Sequence, residues 1–222
     1  MTSSSSAFSR VVFIPDVQKG PGLAIAEYLA DNEWTVYVGK TFTHPPLQCL
    51  VKNSQQKIIP IDVDCAKEDS LQTAVRRILK EAGPLYALIN NSSNTHMLVT
   101  HSIKKLPVEE MKRLFDYEVW NPVSAIQAIL PHLKGGKVIS LGRAGHFPPS
   151  QYDAIYNIAK LTLSSISFYL SELCREHHIH YSVINQTIAH APAHQEVANL
   201  VLEILQTEEP LRSYHIPRPE HQ

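Results

Sequence analysis

The chain has 222 residues, 44% of them hydrophobic, which is enough for one α/β domain with a sizeable core and too few for two. Its 20 basic and 21 acidic residues give a net charge of −1 and form no block of one sign, which argues against nucleic acid or a membrane surface as partner and favours a small-molecule substrate. No segment has the length and apolar character of a membrane-spanning helix.

Cysteine and histidine usage narrows the class further. Cys49, Cys65 and Cys174 are widely spaced and odd in number, a pattern that favours reduced thiols, so we expect a cytoplasmic protein. The 12 histidines form no recognisable set of metal ligands, and no metal site is predicted. Residues 1–9 are predicted to be a disordered serine-rich tail, and residues 10–222 a single domain.

Short apolar runs alternate with helical patterns along the chain. Strands are predicted at residues 10–14, 35–38, 57–61, 85–89, 137–141 and 180–184, and helices at residues 23–32, 71–82, 108–133, 152–177 and 195–206. Because most of the strands are continuously apolar, the pattern predicts a doubly wound, Rossmann-type parallel sheet with helices on both faces. In such a sheet the ligand site lies beyond the carboxyl ends of the strands.

Tyr156 and Lys160 are four residues apart in the penultimate predicted helix, so one helix face presents a phenol and an ammonium together. A neighbouring cation favours the ionised phenol and lowers its pKa, which would make Tyr156 a competent proton donor. The alternative is a solvated surface pair, because this spacing alone is a weak signal.

Three motifs at matched positions resemble the short-chain dehydrogenases/reductases over residues 10–206. A glycine loop follows the first strand, Asn90-Asn91 follows the fourth, and the Tyr156/Lys160 pair follows the fifth. The resemblance implies hydride transfer between a nicotinamide cofactor and a carbonyl or alcohol carbon. It also implies that Tyr156 donates or accepts the proton and that Lys160 assists it.

The phosphate-binding loop departs from the family pattern. The resemblance places cofactor contacts at Lys19, Gly20, Gly22 and Leu23. Pro21, however, has no N–H to donate to a pyrophosphate, and Asp16 stands where the family has its first glycine and brings a negative charge. The loop therefore either binds a cofactor less well or only caps the following helix.

Four more cofactor positions follow from the resemblance. Lys40, at the end of the second strand, replaces the acidic residue that binds an NAD ribose, so any cofactor is predicted to be NADP(H), although Lys40 could equally be a solvated charge. Asp62 matches the residue that contacts adenine, Val63 follows it, and Asn90 lines the adenosine pocket.

The family's catalytic serine has no direct counterpart. Arg143 occupies its position, and Ser140 lies three residues earlier; either could polarise the substrate. The family's structural asparagine aligns with Glu118, which could serve as a base, pair with Lys160 or simply face solvent.

Two functions remain open at this stage. The first is an NADP(H)-dependent oxidoreductase that acts on a small carbonyl or alcohol. The second is a redox-inactive relative that needs no cofactor, either as a subunit of a hetero-oligomer or as an acid–base enzyme. In both cases the resemblance implies an oligomer, either a homodimer or homotetramer or an assembly with another family member. It also implies that the predicted helices over residues 108–133 and 152–177 form the contacts.

Overall fold

Seven parallel strands form one sheet. The computed structural model describes residues 9–17, 21–40, 45–91, 108–133, 135–143, 154–186, 191–210 and 213–216, without the side chains at positions 45, 143, 154–157 and 191–193. The strands are β1 Val11–Ile14, β2 Thr35–Lys40, β3 Ile58–Asp62, β4 Ala87–Asn90, β5 Lys137–Arg143, β6 His180–Gln186 and β7 Ser213–Ile216. Their spatial order is β3-β2-β1-β4-β5-β6-β7, so the winding direction reverses between β1 and β4.

Helices cover both faces of this sheet. They are α1 Gly22–Asp31, α2 Pro45–Asn53, α3 Glu68–Ala82, α4 Val108–Phe115, α5 Asn121–Ile129, α6 Ala154–Glu176 and α7 Ala191–Gln206. Alternate strand residues enter two separate cores: Val12 and Ile14 pack with residues of α1 and α7, whereas Val11 and Phe13 pack with residues of α3, α5 and α6. The predicted doubly wound fold is confirmed. No helix within the described residues is long and apolar enough to cross a membrane.

The predicted single helix over residues 108–133 is wrong. Its α-helical pairing is interrupted after α4 by a π-helical turn, Asp116–Trp120, before α5 resumes, and a 3₁₀ turn at Leu130–His132 closes the segment. Pro122 supplies a physical reason, because it has no N–H to donate to the Glu118 carbonyl one α-helical turn earlier. The apolar spacing continues through the turn, so periodicity alone did not reveal the interruption.

Several other boundaries differ from the prediction. The sequence pattern did not identify α2 or β7, and α7 begins at Ala191, four residues before the predicted start. The α7 helix ends against Lys137 of β5, whose Nζ donates hydrogen bonds to the carbonyls of Ile204 at 2.7 Å, Leu205 at 3.1 Å and Thr207. Lys137 therefore satisfies carbonyl groups that a helix C-terminus leaves without intrahelical partners.

Candidate active site

A cavity of about 180 Å³ lies beyond the carboxyl ends of β1, β3 and β4, next to the point where the sheet reverses its winding. Its lining residues are Pro15, Asp16, Val63, Asp64, Cys65, Ala66, Asn90, Asn91, Tyr117, Asn121, Pro122 and Ala125. Two predicted cofactor residues, Val63 and Asn90, are among them. The location is where a doubly wound sheet places its ligands, and a cavity of about 150 Å³ already admits an aromatic ring.

One wall of the cavity is a contact between two distant parts of the chain. The Tyr117 hydroxyl, in the π turn, donates a hydrogen bond to the carboxylate of Asp16, in the loop after β1. The Asp16 carboxylate, whose negative charge is expected to disfavour phosphates, therefore accepts a hydrogen bond from a phenol on the opposite side of the cavity. A phosphate group that approached Asp16 would have to compete with this contact.

The start of α1 packs closely against the end of β4. Gly22 is the first residue of α1, and a Cβ atom at this position would lie 2.4 Å from Nδ2 of Asn91. That same nitrogen donates a 2.9 Å hydrogen bond to the carbonyl of Asp16. Leu23 follows in α1 and packs against the core. The predicted role of Gly22 in close packing is confirmed, whereas Lys19 and Gly20 lie outside the described residues.

Lys40 and Asp62 end neighbouring strands and face each other in register. The Lys40 Nζ lies 3.3 Å from the Asp62 carboxylate, and 41% of the lysine side chain and 86% of the aspartate side chain are exposed. Asp62, predicted to contact adenine, points toward solvent rather than into the cavity. Such an exposed pair is weak, so Lys40 can exchange Asp62 for another anion.

The second cluster of polar groups lies at the carboxyl end of β5. The Lys160 Nζ lies 2.7 Å from Oε2 of Glu118, and their side chains are 4% and 0% exposed. The same nitrogen donates a 3.5 Å hydrogen bond to the carbonyl of Leu141 in β5. The predicted pairing of Glu118 with Lys160 is confirmed, and the solvent-facing alternative for Glu118 is wrong. Lys160 is likewise not a surface residue.

The other predicted catalytic residues are placed as follows. Tyr156 lies in α6, one turn before Lys160, and Arg143 is the last residue of β5, in register with Gln186; the side chains of both lie outside the description. Ser140 is fully buried within β5, where Nδ2 of Asn90 lies 3.5 Å from its hydroxyl oxygen. The Ser140 hydroxyl therefore accepts a hydrogen bond from Asn90. Its role as a catalytic residue stays a prediction.

Cys65 and Asp64 add polar groups to the cavity wall. Burial, followed by the nearby carboxylates of Asp16 and Asp64, raises the pKa of the Cys65 thiol to about 12, so the thiol stays protonated. The hydrogen bond from Lys67, followed by that from the Ala66 backbone N–H, lowers the pKa of Asp64 and keeps it ionised.

Sequence reasoning did not identify Tyr117, Asn121, Asp64, Cys65 or Ala66 as parts of the site. Tyr117 is 101 positions from its partner Asp16, and no local spacing reports such a contact. One signal was available. Glu118 aligns with the family's structural asparagine, so its neighbour Tyr117 could have been expected near the site as well.

The fold and the cavity define a doubly wound α/β protein with a ligand site at the switch point of its sheet, and with a buried lysine one helical turn after a tyrosine. The family model described as short chain dehydrogenase matches residues 10–199. The chain belongs to the short-chain dehydrogenase family.

Curated relatives are distant. The chain is 25% identical over 180 residues to an uncharacterized oxidoreductase of Methylorubrum extorquens, a match that covers 79% of this chain and 71% of that protein. It is 25% identical over 163 residues to an uncharacterized oxidoreductase of Myxococcus xanthus and 23% identical over 164 residues to a 7alpha-hydroxysteroid dehydrogenase of Paraclostridium sordellii. These matches cover 70% and 72% of this chain, but only 62% and 61% of the two relatives.

Solved structures share the fold at lower identity. Serine dehydrogenase from Escherichia coli superposes with a TM-score of 0.82 at 17% identity, covering 93% of this chain and 96% of that one. A metagenomic short-chain oxidoreductase in complex with NADP gives 0.81 at 18% identity, covering 94% and 97%.

Proposed function

We propose that this protein is an NADP(H)-dependent oxidoreductase that acts on a small carbonyl or alcohol substrate in the cytoplasm. The observation that carries the proposal is the burial of Lys160, which is 3% exposed, at the carboxyl end of β5. A buried ammonium is costly unless it is paired, as Lys160 is with Glu118, and buried charges with specific partners concentrate at functional sites.

The residues fit a nicotinamide nucleotide at the adenosine end. The cavity admits a ring, Gly22 keeps the α1 N-terminus close to Asn91, and backbone N–H groups at a helix start attract phosphate. Lys40 would bind the 2′-phosphate of NADP(H) in exchange for its exposed partner Asp62. When bound, the nucleotide supplies or accepts the hydride.

The chain's own residues handle the proton. Tyr156 would donate its phenolic proton to the substrate carbonyl oxygen, or accept it in the reverse direction. Lys160 would place its positive charge beside that phenol and so lower its pKa, and Glu118 fixes the position of Lys160. Either Arg143, at the end of β5, or Ser140, buried within the same strand, would polarise the substrate.

A redox-inactive relative is the second candidate, and one observation favours it. The Asp16 carboxylate and the Tyr117 hydroxyl line the cavity together at the phosphate-binding end. A pyrophosphate there would meet a negative charge and would find no N–H at Pro21. The protein would then be a non-catalytic subunit or a cofactor-free acid–base enzyme.

Titration of the purified protein with NADPH and NADH, followed by nicotinamide fluorescence and thermal shift, separates the two candidates. The reductase proposal expects micromolar NADPH binding, at least about tenfold weaker binding of NADH, and loss of this preference in Lys40→Ala. Asp16→Gly/Pro21→Ile restores the usual loop and is the matched control. Binding by the control alone would contradict the reductase and favour the redox-inactive relative.

A further inference from the structure

The π turn Asp116–Trp120 carries two contacts on consecutive residues. The Tyr117 hydroxyl donates a hydrogen bond to the Asp16 carboxylate at the wall of the cavity. The next residue, Glu118, places its Oε2 2.7 Å from the Nζ of Lys160 on α6. Single π turns are rare and occur often at functional sites. This turn therefore touches the nucleotide end and the catalytic end of the candidate site at once.

The backbone geometry links the two contacts. A π turn contains one more residue than an α-helical turn, so any change to α-helical pairing rotates Tyr117 and Glu118 together. Leu114, Val119 and Ala159 are buried in one small apolar cluster that packs the turn against α6. Movement of Tyr117 is thus transmitted to a segment in direct contact with the helix that carries Lys160.

We propose that Tyr117 and Glu118 are positioning residues that couple occupancy of the cavity by an adenine nucleotide to the position of the Lys160 ammonium. The inference rests on the proposed function for the role of Lys160. When the nucleotide phosphates reach the loop after β1, they repel and crowd the Asp16 carboxylate. This displaces the Tyr117 hydroxyl from that carboxylate. The turn then rearranges, and the Glu118 carboxylate shifts relative to the Lys160 ammonium.

Trp120 reports on this turn directly. It is the last residue of the π turn and 50% exposed, whereas Trp34, the other tryptophan of the chain, is 5% exposed. In a Trp34→Phe background, adenosine 2′,5′-bisphosphate should change Trp120 emission saturably, because the turn rearranges on binding. Tyr117→Phe in the same background should lose most of this change in emission. The variant lacks the hydroxyl that contacts Asp16, so its turn is already free of that contact before the nucleotide binds.

Coupling is reciprocal, so Glu118 should affect nucleotide affinity without lining the cavity. We expect Glu118→Gln to change the dissociation constant of adenosine 2′,5′-bisphosphate by about fivefold or more. Glu172→Gln is the matched control, because it removes a glutamate that pairs with Arg175 on the surface of α6. An unchanged affinity in Glu118→Gln overturns the coupling.

A measurement without nucleotide separates this inference from the proposed function. Acetylation of Lys160 by acetic anhydride, followed by peptide mass spectrometry, should be at least about fivefold faster in Tyr117→Phe than in the wild type or in Tyr28→Phe, a control on α1. An unchanged rate overturns the coupling even if nucleotide binds. If the bisphosphate binds no variant, the proposed cofactor site fails, and a faster Lys160 reaction still supports the link through the turn.

Discussion

The Lys160 ammonium and the Glu118 carboxylate lie 2.7 Å apart, and neither side chain is more than 4% exposed. Glu118→Ala would leave a buried ammonium without this partner, so we expect it to lower the free energy of unfolding by about 3–5 kcal/mol. Glu118→Leu/Lys160→Met should be closer to the wild type than either single change, because an apolar pair of similar volume carries no uncompensated charge.

Guanidinium denaturation of the wild type, Glu118→Ala, the double variant and its two single variants measures this interaction. The exposed Glu172–Arg175 pair on α6 provides the control, and Glu172→Ala should cost less than about 1 kcal/mol. Equal costs for Glu118→Ala and Glu172→Ala would mean that the buried pair does not stabilise the fold.

Two glycines should differ sharply in their tolerance of alanine. A Cβ atom at Gly39 would lie 1.8 Å from the carbonyl oxygen of Pro15, a backbone atom at the end of β1, so Gly39→Ala should cost about 3 kcal/mol or more. At Gly22 the nearest atom is the amide of Asn91, which can move. Gly22→Ala should cost less, and Asn91→Ala should recover part of that cost in the double variant. Urea denaturation checks the order, and a larger loss in Gly22→Ala would contradict it.

Lys137 should stabilise the C-terminus of α7. Lys137→Met leaves three carbonyl groups without their shared donor, so we expect a loss of about 2–3 kcal/mol in the free energy of unfolding. Burial lowers the pKa of Lys137 to about 8, and Glu208 opposes this shift only partly. The unfolded chain therefore binds more protons than the folded protein above pH 8, and stability contributed by Lys137 should rise from about pH 8 toward 10.5.

Denaturation midpoints of the wild type and Lys137→Met across this range test that sign. The difference between the two proteins cancels the titration of other groups. A difference that shrinks as the pH rises would show that the folded protein prefers the charged ammonium.

We expect the exposed apolar face of α6 to form a subunit interface. Phe168 is 64% exposed and Tyr169 75% exposed, with Ile158 and Leu161 on the same helix also accessible. A face of this kind on a folded chain favours a partner, and a second copy of the same helix offers a matching surface. Light scattering at micromolar concentration should give a dimer or larger, and Phe168→Glu/Tyr169→Glu should give a monomer. Arg76→Glu, on the exposed face of α3, should leave the assembly unchanged.

The sequence predicted elements whose pattern lies within a short stretch of chain, and it missed contacts between residues far apart in the chain. Six strands were located to within about two residues, because a continuously apolar run such as Val11–Ile14 leaves few other places for a strand to begin or end. The strand β7 has only four residues and mixes polar with apolar side chains. The helix α2 begins with two prolines, and its apolar repeat of Leu47, Leu50 and Val51 covers less than two turns, so it was not recognised.

The candidate site divides in the same way. The Glu118–Lys160 pair was accessible because both positions correspond to family positions. The contact between Tyr117 and Asp16 depends on the π turn, and the turn depends on backbone pairing that side-chain spacing does not encode. Ser140 is close in the chain to the position of the family serine and is fully buried within β5, and its catalytic role stays a prediction.

The central position of β1 also affects how the chain can mature during synthesis. Once synthesis has reached Asp62, β3, β2 and β1 can already pair, but the edge of β1 away from β2 has no neighbour until β4 is available at Ala87–Asn90. Until then the most apolar strand of the protein presents unpaired backbone groups on a nascent chain, a template for association with other polypeptides. The arrival of β4 therefore closes an edge that the three earlier strands leave open.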